Sequence, residues 1–190
     1  MIIKCYNENH LYLLFIDLEF NNRDLIQFAG LLYKRIDDDT YQLMRSCNFY
    51  INQKVCYPFA EYTQITNTFL EENGVPLKDV QELIDEFLLN VNLDELCIIG
   101  HGLKNDRLVL KDNGIQLTHN NNKPIDGYCT FNNAKKILNR TSNLSLADLA
   151  EECGYYLHHA HNAYNDVWAE VAIFTYLKKI EAQKGENYYA

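Results

Sequence analysis

Positive charge is what this sequence is shortest of. Its 190 residues hold 17 Lys+Arg against 26 Asp+Glu, a formal net charge of −9, so the field of the whole molecule repels polyanions. A broad basic landing surface for nucleic acid is thereby excluded. Glycine and proline are sparse as well, at 8 and 3, which excludes collagen-like and disordered compositions. No CxxC pair occurs among the six cysteines, Cys5, Cys47, Cys56, Cys97, Cys129 and Cys153. Several lie inside apolar runs such as Leu96-Cys97-Ile98-Ile99, so they read as buried thiols in a reducing cytosol. The longest early apolar run, Leu11 to Ile16, is too short for a membrane span or a signal-peptide core. Repeats, linkers and low-complexity segments are missing too. A soluble, cytoplasmic protein is expected.

Hydrophobic residues, in contrast, make up 47% of the chain and aromatics 13%, enough for one compact domain with a substantial core. Leu11 to Phe20 (LYLLFIDLEF) is apolar on successive residues, which predicts a central strand covered on both faces and broken only by Asp17 and Glu19 near its end. Leu25 to Ile36 and Tyr41 to Ile51, separated by the turn-forming run Asp37-Asp38-Asp39-Thr40, read as a β-hairpin continuing the sheet. Pro76 to Val91 has apolar residues at spacings of three and four, an amphipathic helix, and Leu96 to Gly100 is a short buried strand. Further helices are predicted from Leu103 to just before Gly114, over Phe131 to Asn139, over Ser145 to Cys153 and over Ala163 to Ile180. His119 to Lys123 reads as a surface loop. The order implies an α/β fold, a mixed five-stranded sheet flanked by helices, forming a single domain over residues 1–183 with a frayed tail over 184–190.

Three segments carry candidate chemistry. Asp17 and Glu19 are two apart on a strand, so their side chains share a face, roughly 6–7 Å apart from Cα to Cα. Two carboxylates at the end of an inner strand are costly unless a metal, a cation or a cleft receives them. Ile98 to Asp106 runs from a buried strand through the flexible Gly100-His101-Gly102 turn into a helix with Asp106 in its first turn, and strand ends of this kind are where α/β sheets place ligands. His158 to Asp166 holds three histidines and an acid at the start of the last helix. His161 and Asp166 are five apart and cannot share a helical face, so His161 belongs to the preceding loop. A structural zinc site there is disfavoured, because no cysteine stands at ligand spacing.

Taken together, FIDLEF, GHGLKND and HNAYND match in order and spacing the three exonuclease motifs of the DEDDh family of 3′-to-5′ exonucleases, over about 150 residues from Asp17 to Asp166. The resemblance implies an RNase H-like fold, with Asp17, Glu19, Asp106 and Asp166 as metal-binding acids and His161 as general base. Asn162, four before the last acid, stands where the tyrosine branch of the superfamily would have Tyr, so the histidine branch is favoured. The sequence departs from many relatives at Gly102 and Lys104. The segment Ile65-Thr66-Asn67 followed by Gly74-Val75-Pro76 also resembles one found in these enzymes.

The residue types suit that chemistry. Converging carboxylates raise one another's pKa unless divalent cations neutralise them, and oxygen-only ligands select Mg²⁺ or Mn²⁺. Two such cations, about 4 Å apart, can activate water and stabilise a leaving 3′-oxygen. A histidine, which titrates near neutrality, can take the water's proton. The expected activity is removal of nucleoside 5′-monophosphates from the 3′ ends of single-stranded DNA or RNA. The alternatives are an RNA-specific trimmer or oligoribonuclease, or a catalytically inactive scaffold. Phe20 and Ile65 are candidate base-stacking residues, and Lys104 and Arg107 candidate phosphate contacts. A polymerase or another nucleic-acid-processing protein is an expected partner, and a membrane is not.

Overall fold

In the computed structural model, which describes residues 1–119 and 123–186, the central strand β2 (Tyr12–Asn21) pairs antiparallel with β3 (Asp24–Asp37) and parallel with β5 (Leu96–Gly100). The sheet has six strands, not five, in the order β1-β4-β3-β2-β5-β6, where β4 is Thr40–Tyr50 and β6 is Asp126–Cys129. The additional one is β1 (Ile2–Lys4), three residues on the edge of β4. It buries a single side chain, Ile3, too little for a period to show in the sequence.

Alternation along β2 divides the molecule into two layers. Tyr12, Leu14, Ile16 and Leu18 face a cluster with Val80, Ile84 and Phe87 of α3 (Val80–Phe87) and Leu103, Val109 and Leu110 of α4 (Leu103–Asp112). Leu13 and Phe15 face the opposite cluster, with Ala163, Val167, Val171 and Phe174 of α7 (Ala163–Glu186). Phe15 meets Phe174 edge to face, ring centroids 5.4 Å apart. The same alternation carries Asp17 and Glu19 to the α7 side.

A second side of α7, through Ala169, Ile173 and Leu177, packs on α5 (Thr130–Ile137) and α6 (Leu146–Glu152). This double burial explains the broad apolar stripe of the last helix. That helix runs past the predicted end at Ile180 and takes in the first three residues of the predicted tail 184–190. Residues 187–190, and residues 120–122 of the predicted His119–Lys123 loop, lie outside the described residues.

Two short helices were not foreseen, α1 (Tyr57–Thr63) and α2 (Asn67–Asn73). The helix predicted from Pro76 to Val91 opens instead as a 3₁₀ turn over Leu77–Asp79 and is α-helical only over Val80–Phe87. All six cysteines are unpaired, but only Cys5 and Cys97 are buried; Cys47, Cys129 and Cys153 are partly buried and Cys56 is exposed. Among the described residues no helix is long and apolar enough to cross a membrane.

Candidate active site

Three elements deliver the acids to one place. Asp17 and Glu19 stand on the α7 face of β2, opposite Ala29 and Gln27 of β3. Strand β5 is buried at all five positions and ends in the turn His101-Gly102. Gly102 adopts the left-handed φ of +87°, accessible to glycine without strain and to asparagine at small cost. Asp106 follows in the first turn of α4. A Cβ at Gly100 would lie 3.4 Å from Asp106 Oδ2, so this carboxylate packs closely against the end of β5. Asp166 lies in the first turn of α7. The start of that helix is fixed by Gln27, a fully buried strand residue whose Oε1 accepts from the Ala163 N–H at 3.1 Å.

One carboxylate oxygen from each of Asp17, Glu19 and Asp166 lies within 4.8 Å of the others, and Asp106 lines the same cavity of about 470 Å³. Glu19, Asp106 and Asp166 are only 8%, 6% and 8% exposed. No Lys or Arg among the described residues is ion-paired to any of the four. Burial, then repulsion from Asp166, Asp106 and Glu19, pushes the Asp17 carboxyl well above the usual carboxylate range. Glu19 is pushed up to about 8 by burial and by Asp166. Burial lifts Asp106 to about 7 and Asp166 to about 6, the latter held back by a hydrogen bond from the His161 backbone. The Oδ1 of Asp166 is buried without a partner. Closely spaced, oxygen-only donors with an orphaned oxygen and, among the described residues, no Lys or Arg ion-paired to them fit a hard divalent cation.

His161 is exposed on the cavity rim, in the loop before α7, with a left-handed φ of +66°. Its backbone N–H donates to Asp166 Oδ2 at 3.2 Å, and its ring meets Tyr62 of α1 edge-on, centroids 5.0 Å apart. His158 and His159 are exposed and do not line the cavity. Phe20 does line it. Ile65 does not: it is 3% exposed, packed with Ile26, Val55, Phe59 and Leu70, where no base can reach it. Lys104 and Arg107 line a different cavity, and Arg107 Nη2 donates to the Ile125 carbonyl at 2.6 Å.

Two residues of this region escaped the sequence reading. His101 is a structural histidine. The Leu144 carbonyl, 3.1 Å away, can only accept, so Nε2 donates to it, and Nδ1 lies 3.0 Å from Thr130 Oγ1. Burial lowers its pKa accordingly. Glu170, one helical turn beyond Asp166, is fully buried, and its carboxyl is pushed well above the usual range by burial and by repulsion from Asp17, Asp106 and Asp166. The spacing of four between Asp166 and Glu170 in a predicted helix was the available signal.

No protein-family model and no curated protein sequence matches the chain. Solved structures do. A 3′-exonuclease whose structure concerns 3′-end-specific recognition of a histone mRNA stem-loop superposes with a TM-score of 0.70 at 12% identity, over 91% of this chain and 84% of that one. Exonuclease I of E. coli in complex with a dA16 oligonucleotide gives 0.67 at 16% identity, over 88% and 41%. Exonuclease I from Methylocaldum szegediense gives 0.66 at 17%, over 88% and 40%. The chain thus spans about two fifths of the exonuclease I chains it matches. With its mixed six-stranded sheet flanked by helices, the chain has the fold of these 3′-exonuclease and exonuclease I structures.

Proposed function

We propose that the protein is a 3′-to-5′ exonuclease that hydrolyses the ends of single-stranded DNA or RNA to nucleoside 5′-monophosphates. The observation that carries this reading is the convergence of Asp17, Glu19 and Asp166 within 4.8 Å, beside Asp106 and with His161 on the rim of the same cavity. Asp17, Glu19, Asp106 and Asp166 would hold two divalent cations, Mg²⁺ or Mn²⁺. When bound, these would polarise the attacking water and stabilise charge on the departing oxygen.

His161 is the general base in this reading. It takes one proton as the water oxygen bonds to the terminal phosphorus, while the bond from phosphorus to the 3′-oxygen of the preceding nucleotide breaks and its electron pair leaves on that oxygen. Its place in a loop, anchored to Asp166 through its backbone and not its ring, leaves the imidazole free for this task. Phe20, at the cavity wall, is suited to contact the terminal base. The structural neighbours named for a histone mRNA stem-loop and for a dA16 oligonucleotide support both kinds of strand as substrates. The six unpaired cysteines are in keeping with action in the cytoplasm.

The test is digestion of 5′-labelled DNA and RNA single strands with Mg²⁺ or Mn²⁺. A ladder shortening from the 3′ end, release of mononucleotides, and loss of activity in EDTA are expected. Internal cleavage of a circular single strand, or full activity after thorough chelation, would overturn the reading.

A further inference from the structure

Glu170 lies outside the three motifs, yet it joins two of the acid-bearing segments. We infer that Glu170 is a positioning residue that clamps α7 to the turn between β5 and α4, and so sets the separation of Asp166 and Asp106. The inference rests on the reading of the four acids as the cation-holding set.

Glu170 is 0% exposed, and its Oε1 accepts from the backbone N–H of His101 at 2.6 Å. A buried N–H needs such a partner. The ring of His101 is held at both nitrogens, by Thr130 and by the Leu144 carbonyl, so Glu170 completes a three-point anchor of the turn. Beyond His101 comes Gly102, where a Cβ would meet nothing within 4 Å. The glycine adds no side-chain contact of its own, so α4 is held at this end by the anchor just before it together with the core packing of Leu103, Val109 and Leu110. Asp106 sits in the first turn of α4, and Asp166 lies on α7 one turn before Glu170, on the same side of the helix. A single hydrogen bond therefore ties the two acid-bearing turns together. The second oxygen, Oε2, is buried without a partner and repelled by Asp17, Asp106 and Asp166. Burying a charge there has no evident structural benefit, and the useful property of the side chain is its acceptor.

Glutamine keeps that acceptor and its reach, whereas leucine fills the space without it. The experiment compares Glu170→Gln and Glu170→Leu by calorimetric Mn²⁺ titration and by hydrogen exchange of the His101 amide, after circular dichroism has shown both to be folded. Glu170→Gln should hold the His101 amide protected and keep the wild-type Mn²⁺ affinity. Glu170→Leu should lose protection at that amide and bind Mn²⁺ about 10–100-fold more weakly, the usual effect of removing a group that orients metal ligands. A folded leucine variant with unchanged Mn²⁺ affinity would overturn the inference. So would a glutamine variant as weak as the leucine one, since charge and not the acceptor would then matter. If Glu170→Leu fails to fold, Glu170→Gln decides alone, because retention of affinity and protection is required of it. A wild-type protein that binds no Mn²⁺ would sink the four-acid reading, while the exchange of the His101 amide would still decide whether the clamp exists.

Discussion

Replacing His161 by alanine is expected to slow single-turnover digestion about 10²–10⁴-fold while leaving calorimetric Mn²⁺ binding near that of the wild type, because no ring atom of His161 is bound to the acids. Asp166→Asn should do the opposite first, weakening Mn²⁺ binding itself. If His161→Ala kept full rate across pH 6 to 9 while His158→Ala was inactive, the base would have to be reassigned within the cluster. Individual residues differ in how far the sequence discloses them. Strand alternation placed Asp17 and Glu19 on one face, and helix geometry placed His161 ahead of Asp166; both rules are local and hold here. Glu170 escaped because its meaning is non-local: an acid in the middle of an apolar helix stripe acquires a role only through the His101 N–H, 69 residues away in sequence. Ile65 misled for the converse reason, since an apolar residue next to a motif looks the same in sequence whether it faces a cavity or a core.

Among the elements, α6 offers a direct test. Ser145 accepts from the Asp148 N–H, and Asp148 accepts in return from the Ser145 N–H, a reciprocal cap at the N-terminus of the helix. The same Ser145 lines the acid cavity. Ser145→Ala should lower stability by about 1 kcal/mol, a fall in melting temperature of roughly 2–4 °C for a chain of this length, measurable by calorimetry. An unchanged melting temperature would show that α6 is held by Leu149 and Ala150 in the core and not by its cap. Long, strongly periodic elements were legible: β2, the hairpin of β3 and β4, β5 and α7 all follow from hydrophobic pattern. The short ones were not. Helix α1 buries only Phe59 and Thr63, and α2 only Leu70, so neither repeats often enough for a helical period to emerge from seven residues.

For the molecule as a whole, the acid cavity sets a pH dependence with a definite sign. Unfolded carboxyls titrate near 4, whereas Glu19, Asp106 and Asp166 are lifted in the fold to about 8, 7 and 6. Between those limits the folded chain binds more protons than the unfolded one, so these groups favour the fold below pH 4 and withdraw that support as pH rises towards 8. In EDTA, Glu19→Gln should therefore be more stable than the wild type at pH 8, by 1 kcal/mol or more, or roughly 2–4 °C in melting temperature, with the gap closing towards pH 5. Mn²⁺ should raise the wild-type value more than that of the variant. Equal melting temperatures at pH 8 in EDTA would contradict this account of the cavity. Sequence order has a consequence of its own for how the protein is made. Tyr12 of β2 pairs with Leu96 of β5, and among the described residues α7 is the helix that covers Leu13 and Phe15 on the far side of β2. On a ribosome the inner strand emerges long before the helix that shelters Leu13 and Phe15. A nascent chain halted before Ala163 carries an uncovered apolar sheet and lacks Asp166, so it is prone to aggregate until a chaperone or the remaining residues cover it.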